Sequence, residues 1–327
     1  MAAANKHIDI ITESHAYRKL ESEQKSGQVK HAYVFESGDF DALDTLANLF
    51  ICLCEKGKLD EFMLNRISDG GYLDIVKLPK AEAKGKITVE DISQVIDSAY
   101  LTPTELSAKY YIFACSEGLS PAVQNKMLKT LEEPPRSARF IIFTQGNDLL
   151  PTVSSRCSEV RLEPFESEVI IRSLVNAGYD EVTALFSAAV SRGNIGTAEA
   201  IALDKTYMQA YEDAANFLLN VKRSSEILPS AGKFTAAKEK FVPFIDYLEL
   251  IFRDIIAYKE VGAEAVVLKP ALSDIVKLSR ELDTTTVLKL MPLIRRARER
   301  IRLYGNAASY IDELLFSILE VKAKCRT

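Results

Sequence analysis

Two periodicities divide this chain. Up to about Pro164, short apolar runs alternate with amphipathic stretches, whereas beyond it almost every segment repeats its apolar positions every three to four residues. In the first part, His31 to Phe35, Leu73 to Leu78, Lys109 to Cys115 and Arg139 to Thr144 are rich in β-branched and aromatic residues and predict strands. The last run is apolar at successive positions, which predicts a strand buried on both faces of a parallel sheet. Phe40 to Leu53 and Thr88 to Leu101 read as helices, the second with Val89, Ile92, Val95, Ile96 and Ala99 on one side. Thr88 is placed to cap that helix, with Asp91 in the capping-box position.

A further helix has unambiguous ends. Ser120 before Pro121 reads as an N-cap followed by a first-turn proline, whose missing N–H costs nothing there. Val123, Met127, Leu128 and Leu131 form its buried stripe, and Pro134-Pro135 stop it. After Pro164, Ser167 to Ala177, Glu181 to Ser191 and Thr197 to Leu203 predict three helices broken by Gly178, Gly193 and Gly196. Longer candidates follow at Tyr207 to Val221, Phe234 to Phe241, Phe244 to Glu260, Thr286 to Leu303 and Ala307 to Lys322, the last two separated by Gly305-Asn306. The expected architecture is an α/β domain with a parallel sheet over residues 1–163, a small helical domain over 164–204 and an all-α domain over 205–327.

Composition narrows the classes. With 327 residues, 47% hydrophobic and 27% charged, the chain is ordinary globular material, too long for one compact core. The longest apolar run, near Leu49 to Cys54, is far short of the ~20 residues of a membrane span. The beginning of the chain lacks the layout of a signal peptide, so a soluble cytoplasmic protein with no membrane partner is expected. Five cysteines then read as reduced thiols. A net charge of -5 gives no basic footprint, so any DNA contact is expected to be minor or shared with more basic partners.

Candidate chemistry concentrates in two stretches, Gln124-Asn125-Lys126-Met127-Leu128-Lys129-Thr130-Leu131-Glu132-Glu133-Pro134-Pro135 and Leu149-Leu150-Pro151-Thr152-Val153-Ser154-Ser155-Arg156-Cys157. Ser155 and Arg156 follow the strand that ends at Thr144, beyond the strand end where open α/β sheets place functional loops. Taken alone, an arginine here pairs with a surface carboxylate such as Glu159. The two stretches together resemble the central motifs of the bacterial DNA polymerase III clamp loader, a family of AAA+ proteins, and the resemblance extends over essentially the whole chain. It implies an AAA+ domain, a helical lid and a helical collar in that order. It also implies that Arg156 is an arginine finger reaching the ATP of a neighbouring subunit, with Ser155 and Cys157 positioning it. A guanidinium there neutralises charge developing in phosphoryl transfer, an effect worth roughly 10³–10⁵ in rate.

The chain's own nucleotide site departs from the expected chemistry. A phosphate loop needs several glycines, a lysine and a Ser or Thr for magnesium. Here Glu36-Ser37-Gly38-Asp39-Phe40-Asp41-Ala42-Leu43-Asp44-Thr45 keeps a single glycine, lacks the lysine and carries aspartates at Asp39, Asp41 and Asp44, whose charge would repel a polyphosphate. By the resemblance, the family's acidic pair falls on Ala114 and Cys115, with Glu117 beyond the strand end, and the lid arginine of many relatives falls near Gly196. The implied subunit binds no ATP or metal of its own, with ATP held by the partner.

The remaining features have plainer readings. Cys52 and Cys54 lie on different faces of one helix, and Glu55 to Gly71 stands where relatives carry a four-cysteine zinc module, so the zinc site is expected to be lost. Cys115 reads as a buried thiol, His7, His15 and His31 show no ligand spacing, and His31 is expected to pack or hydrogen-bond at the first strand. Arg295, Arg298 and Arg302 share one helix face and Arg296 and Arg300 another, which reads as a solvated helix or a collar contact. The resemblance implies gamma/tau-type ATPase and delta subunits, the sliding clamp and primed DNA as partners, with Lys126 and Lys129 as possible DNA contacts. The alternatives are a clamp-opening delta-type subunit and a self-sufficient ATPase with an atypical site.

Overall fold

The computed structural model describes residues 6–79, 86–116, 118–146, 148–221, 241–304 and 307–324. It forms two compact units, one of residues 1–165 with 194–196 and the other of 166–193 with 197–327. Glu117, most of the helix expected at Phe234 to Phe241, and the Gly305-Asn306 break lie outside the described residues.

The first unit opens with helices α1 (Ile8–Thr12) and α2 (His15–Lys25) and continues through β1 (Ala32–Glu36), α3 (Phe40–Lys56), α4 (Glu61–Ser68), β2 (Ile75–Leu78), α5 (Val89–Ala99), β3 (Lys109–Phe113), α6 (Pro121–Glu132), β4 (Ala138–Thr144), α7 (Pro151–Ser154) and β5 (Ser158–Arg161). Among its described residues five strands form one sheet in the order β2-β3-β4-β1-β5, and every pairing is parallel. Both faces are covered, as the unbroken apolar runs require. On one face Val34, Phe113, Phe140 and Ile142 pack with Ile92 and Val95 of α5 and Val123, Met127 and Leu131 of α6. On the other, the rings of Tyr33, Phe35 and Phe143 meet Phe50 of α3 or one another at centroid separations of 4.9–6.3 Å.

Local chemistry sets the ends of these elements. The capping box of α5 is present, with Thr88 accepting from the Asp91 amide and Asp91 from the Thr88 amide. Ser120 caps α6, and the double proline stops it after Glu132. Strand β2 begins two residues later than its sequence suggests, because Leu73 is exposed and Asp74 turns inward. That buried carboxylate accepts the amides of Thr104, Glu105 and Leu106 at 2.6–2.9 Å or 3.0 Å, fixing the loop that leads into β3. Strand β5 escapes the sequence reading because only Val160 of its four residues is buried.

The second unit is helical throughout its described length: α8 (Ser167–Asn176), α9 (Glu181–Ser191), α10 (Ile195–Leu203, from Thr197 onward), α11 (Lys205–Asn220), α12 (Phe241–Glu260), α13 (Leu272–Glu281), α14 (Thr284–Tyr304) and α15 (Ala307–Lys324). Helix α12 is apolar around most of its circumference, burying Phe241, Phe244, Tyr247, Leu248, Ile251, Phe252 and Ile255, and so forms the centre of this core. Phe186 of α9, Tyr211 of α11 and Tyr247 of α12 pack their rings together at 5.0–6.1 Å, joining residues on both sides of position 204 in one hydrophobic cluster. Among the described residues no helix is long and apolar enough to cross a membrane.

The arginines of α14 divide by environment. Arg298 reaches Asp246 at 2.7 Å and Glu249 at 2.6 Å on α12, while Arg300 pairs with Glu313 at 2.6 Å and lies over the Tyr310 ring. Arg295 and Arg296 are exposed, and the Arg302 side chain lies outside the described residues.

Candidate functional site

Helix α6 is the rail on which the Arg156 segment is mounted. Gln124, in its first turns, is buried and uses both ends of its amide. Its Nε2 donates to the carbonyls of Leu119 at 2.7 Å and Asp148 at 2.9 Å, and its Oε1 accepts the Leu150 amide at 2.6 Å. Thr144, at the end of β4, donates its hydroxyl to the Asp148 carboxylate and accepts the Gly146 amide at 3.0 Å. The start of α7 is therefore fixed by buried hydrogen bonds rather than by apolar packing alone.

Two turns further along α6, about 12 Å at the helical rise, the same segment is held again. Arg156 Nη2 donates to Glu132 Oε1 at 2.5 Å and Nη1 to the Thr152 carbonyl at 2.7 Å. The guanidinium side chain keeps 34% of its surface exposed. It is thus presented outward, and its partner in this chain is Glu132, not Glu159. Ser155 is exposed and its hydroxyl lies 3.4 Å from Nη1. Cys157 is half-buried, and burial, with Glu159 adding, pushes its thiol up to about 12.

The sheet direction corrects the expected placement of this loop. Although Arg156 follows β4 in the chain, α7 carries the backbone back, and Ser158 pairs alongside Tyr33 at the beginning of β1. The Leu131 carbonyl lies 3.1 Å from Nε2 of His31, the residue just before β1, so the C-terminal end of α6 marks the N-terminal edge of the sheet. Arg156 and Glu132 therefore stand at that edge, whereas the loop after β1 stands at the C-terminal edge. This hydrogen bond also gives His31 the role expected of it at the first strand.

At the C-terminal edge Ser37, Gly38 and Asp39 connect β1 to α3. The three aspartates separate here: Asp41 is exposed, Asp44 pairs with Lys77, and only Asp39 turns inward, 5% exposed. Its Oδ1 accepts the Ala42 amide at 3.1 Å and its Oδ2 the Gly196 amide at 2.8 Å. Burial raises the Asp39 carboxyl above the usual range, the two amides oppose this, and Asp41 adds to it. Residues 37–45 carry no lysine, and the Ala42 amide at the start of α3 is already satisfied by a side chain. Ala114 and Cys115 follow β3 at the same edge, and Cys115 is a buried thiol donating to the Gly118 carbonyl at 3.1 Å. Neither supplies a carboxylate, and Glu117 lies outside the described residues.

Lys126 and Lys129 lie on the exposed side of α6 with Asn125 and Glu132. Cys52 is buried, with the Asp60 amide donating to its sulfur at 3.2 Å, and Cys54 is half-buried, its thiol pushed up to about 12 by burial. Among the described residues no cluster of His, Cys, Asp or Glu is arranged to hold a metal. Sequence reasoning gave no separate role to Gln124 or Glu132. Gln124 had a signal: it occupies an apolar-stripe position with Met127, Leu128 and Leu131, where an amide requires buried partners.

This chain is similar to several known proteins. The family profile described as DNA polymerase III, delta subunit, matches residues 12–166. The chain is 23% identical to the DNA polymerase III subunit tau of Bacillus subtilis over 95% of its own length and 61% of the relative's. It is 22% identical to the delta' subunit of the same organism, covering 93% of this chain and 94% of that one. Among solved structures, a DNA polymerase III gamma subunit-related protein from Thermotoga maritima aligns over 93% of this chain and 99% of its own at 17% identity, with a TM-score of 0.45.

Proposed function

We propose that this chain, a clamp-loader AAA+ subunit of the DNA polymerase III type, acts as a delta-prime-type subunit that lends Arg156 to the ATP of a neighbouring gamma/tau-type ATPase. It binds no nucleotide of its own, assembles with that ATPase and a delta subunit, and helps set the sliding clamp on primed DNA. The observation that carries this reading is the presentation of Arg156: half-exposed, on a segment anchored by buried Gln124, at the sheet edge opposite the degenerate loop. A planar guanidinium addresses two phosphate oxygens at once, which a lysine cannot do. Lys126 and Lys129, exposed on α6, are the residues this reading assigns to contact with a nucleic-acid backbone within the assembly.

The test is reconstitution with the ATPase and delta subunits, followed by DNA-stimulated hydrolysis. Arg156→Ala is expected to lower turnover by about 10³-fold or more while the complex still forms. Unchanged hydrolysis by a complex of normal composition would remove the finger assignment. The alternative is a clamp-opening delta-type role, consistent with the description of the matching family profile; tight binding to the sliding clamp without other subunits would support it.

A further inference from the structure

We propose that the degenerate loop already holds its anion: the Asp39 carboxylate occupies the start of α3, where a strand-to-helix loop of this kind receives a phosphate, and the Gly196 amide grips it from the other side. The proposal deepens the reading of this loop as one that takes no nucleotide, and it can be tested apart from the role of Arg156.

The chemistry is a substitution in kind. Helix N-termini attract anions because their first amides lack backbone acceptors and carry the positive end of the helix dipole. At α3 the Ala42 amide is satisfied by Asp39 Oδ1 at 3.1 Å, so one of the first-turn donors that would face an anion is already engaged internally. The second oxygen accepts the Gly196 amide at 2.8 Å, across 157 residues of sequence. A carboxylate bridging two backbone donors does with one covalently attached group what a bound phosphate does with several oxygens.

Gly196 is fitted to this contact by its lack of a side chain. A Cβ at that position would lie 2.6 Å from Asp39 Oδ1 and 2.8 Å from Asp41 Cβ, so any other residue displaces the carboxylate or the backbone that reaches it. The approach is reinforced one residue earlier in the loop, where a Cβ on Gly38 would meet Asn194 Nδ2 at 3.4 Å. Residues 194–196, the last two of which open α10, are part of the first compact unit although α9 and the rest of α10 belong to the second. The aspartate therefore does more than repel a polyphosphate: it fills the position and keeps residues 194–196 attached there without any ligand.

Chemical rescue tests this on the full chain. Asp39→Ala is expected to lower the thermal midpoint and to reduce hydrogen-exchange protection at the Gly196 amide by roughly tenfold or more. Added formate or inorganic phosphate, at ionic strength matched with chloride, is expected to raise the midpoint of the variant more than that of the wild type. Asp39→Asn, which keeps an acceptor for Ala42 and fills the space, is expected to show no such rescue, and Asp39→Gly, which offers no acceptor, serves if the alanine variant fails to fold. Equal anion responses in wild type and in the alanine or glycine variant would overturn the proposal while leaving the loop free of nucleotide. Saturable ATP binding abolished by mutation of the loop in an otherwise wild-type chain would overturn both.

Discussion

Arg156 and Glu132 form an ion pair at 2.5 Å with both partners open to solvent, at 34% and 49% side-chain exposure. Exposed pairs contribute little to stability because water screens them and two long side chains must be ordered. Glu132→Ala is therefore expected to change the free energy of unfolding by less than about 1 kcal/mol in a urea titration. A loss of several kcal/mol would show that the pair is structural and that the guanidinium is not free to leave it.

Gln124 has the opposite character, since its three hydrogen bonds are formed by a side chain that is 2% exposed. Gln124→Leu leaves the Leu150 amide and two carbonyls without this partner, and the expected cost is about 2–4 kcal/mol. Gln124→Glu removes the donor and sets a carboxylate against two carbonyl oxygens, so it is expected to cost more at pH 7. The new carboxyl titrates above its unfolded value, so stability is present at low pH and lost as pH rises through that window. Equilibrium unfolding of both variants at pH 5 and pH 7 checks the order and the sign.

Asp74 gives a pH dependence of the other sign. Burial pushes its carboxyl up, but the amides of Glu105, Leu106 and Thr104, with Lys109, outweigh this and hold it below the usual carboxylate range. The unfolded chain thus binds this proton more readily than the folded one. The stabilisation is complete above about pH 4 and is lost as pH falls through the depressed folded value. The wild type is expected to exceed Asp74→Asn by about 1–3 kcal/mol at pH 7, with the gap closing on acidification. A gap that stays constant down to pH 2 would contradict the assignment.

Cys157 is expected to be a slow thiol. With its pKa pushed up to about 12, the thiolate fraction at pH 8 is on the order of 10⁻⁴, against roughly a quarter for a free cysteine. Iodoacetamide labelling of the native protein at pH 8, mapped by mass spectrometry, is expected to leave Cys157 unmodified until denaturant is added. Rapid native labelling would place the thiol in a different environment.

Much of the sheet unit was legible because its signals are local. The Thr88 capping box, the Ser120-Pro121 start and the double proline after α6 all act within a few residues, and each appears where the sequence puts it. Strand β4 was visible because both its faces are buried. Strand β5 was not, since an edge strand with one buried residue carries almost no pattern. The site was legible only in part, for a physical reason: which carboxylate meets Arg156, and where Asp39 points, depend on contacts across 24 and 157 residues. Direction along the sheet was likewise hidden, because the four residues of α7 turn the chain back before β5 begins.

Arg156 stands at one rim of the parallel sheet and the buried Asp39 carboxylate at the other, so on the proposed function this molecule is a sender without a receiver. On that proposal, a head-to-tail succession of homologous protomers that includes one copy would not close into a ring of equivalent working junctions, since the flank bearing Asp39 would have nothing to be completed. Such an assembly would have a fixed first member, its order written into which rim is empty-handed.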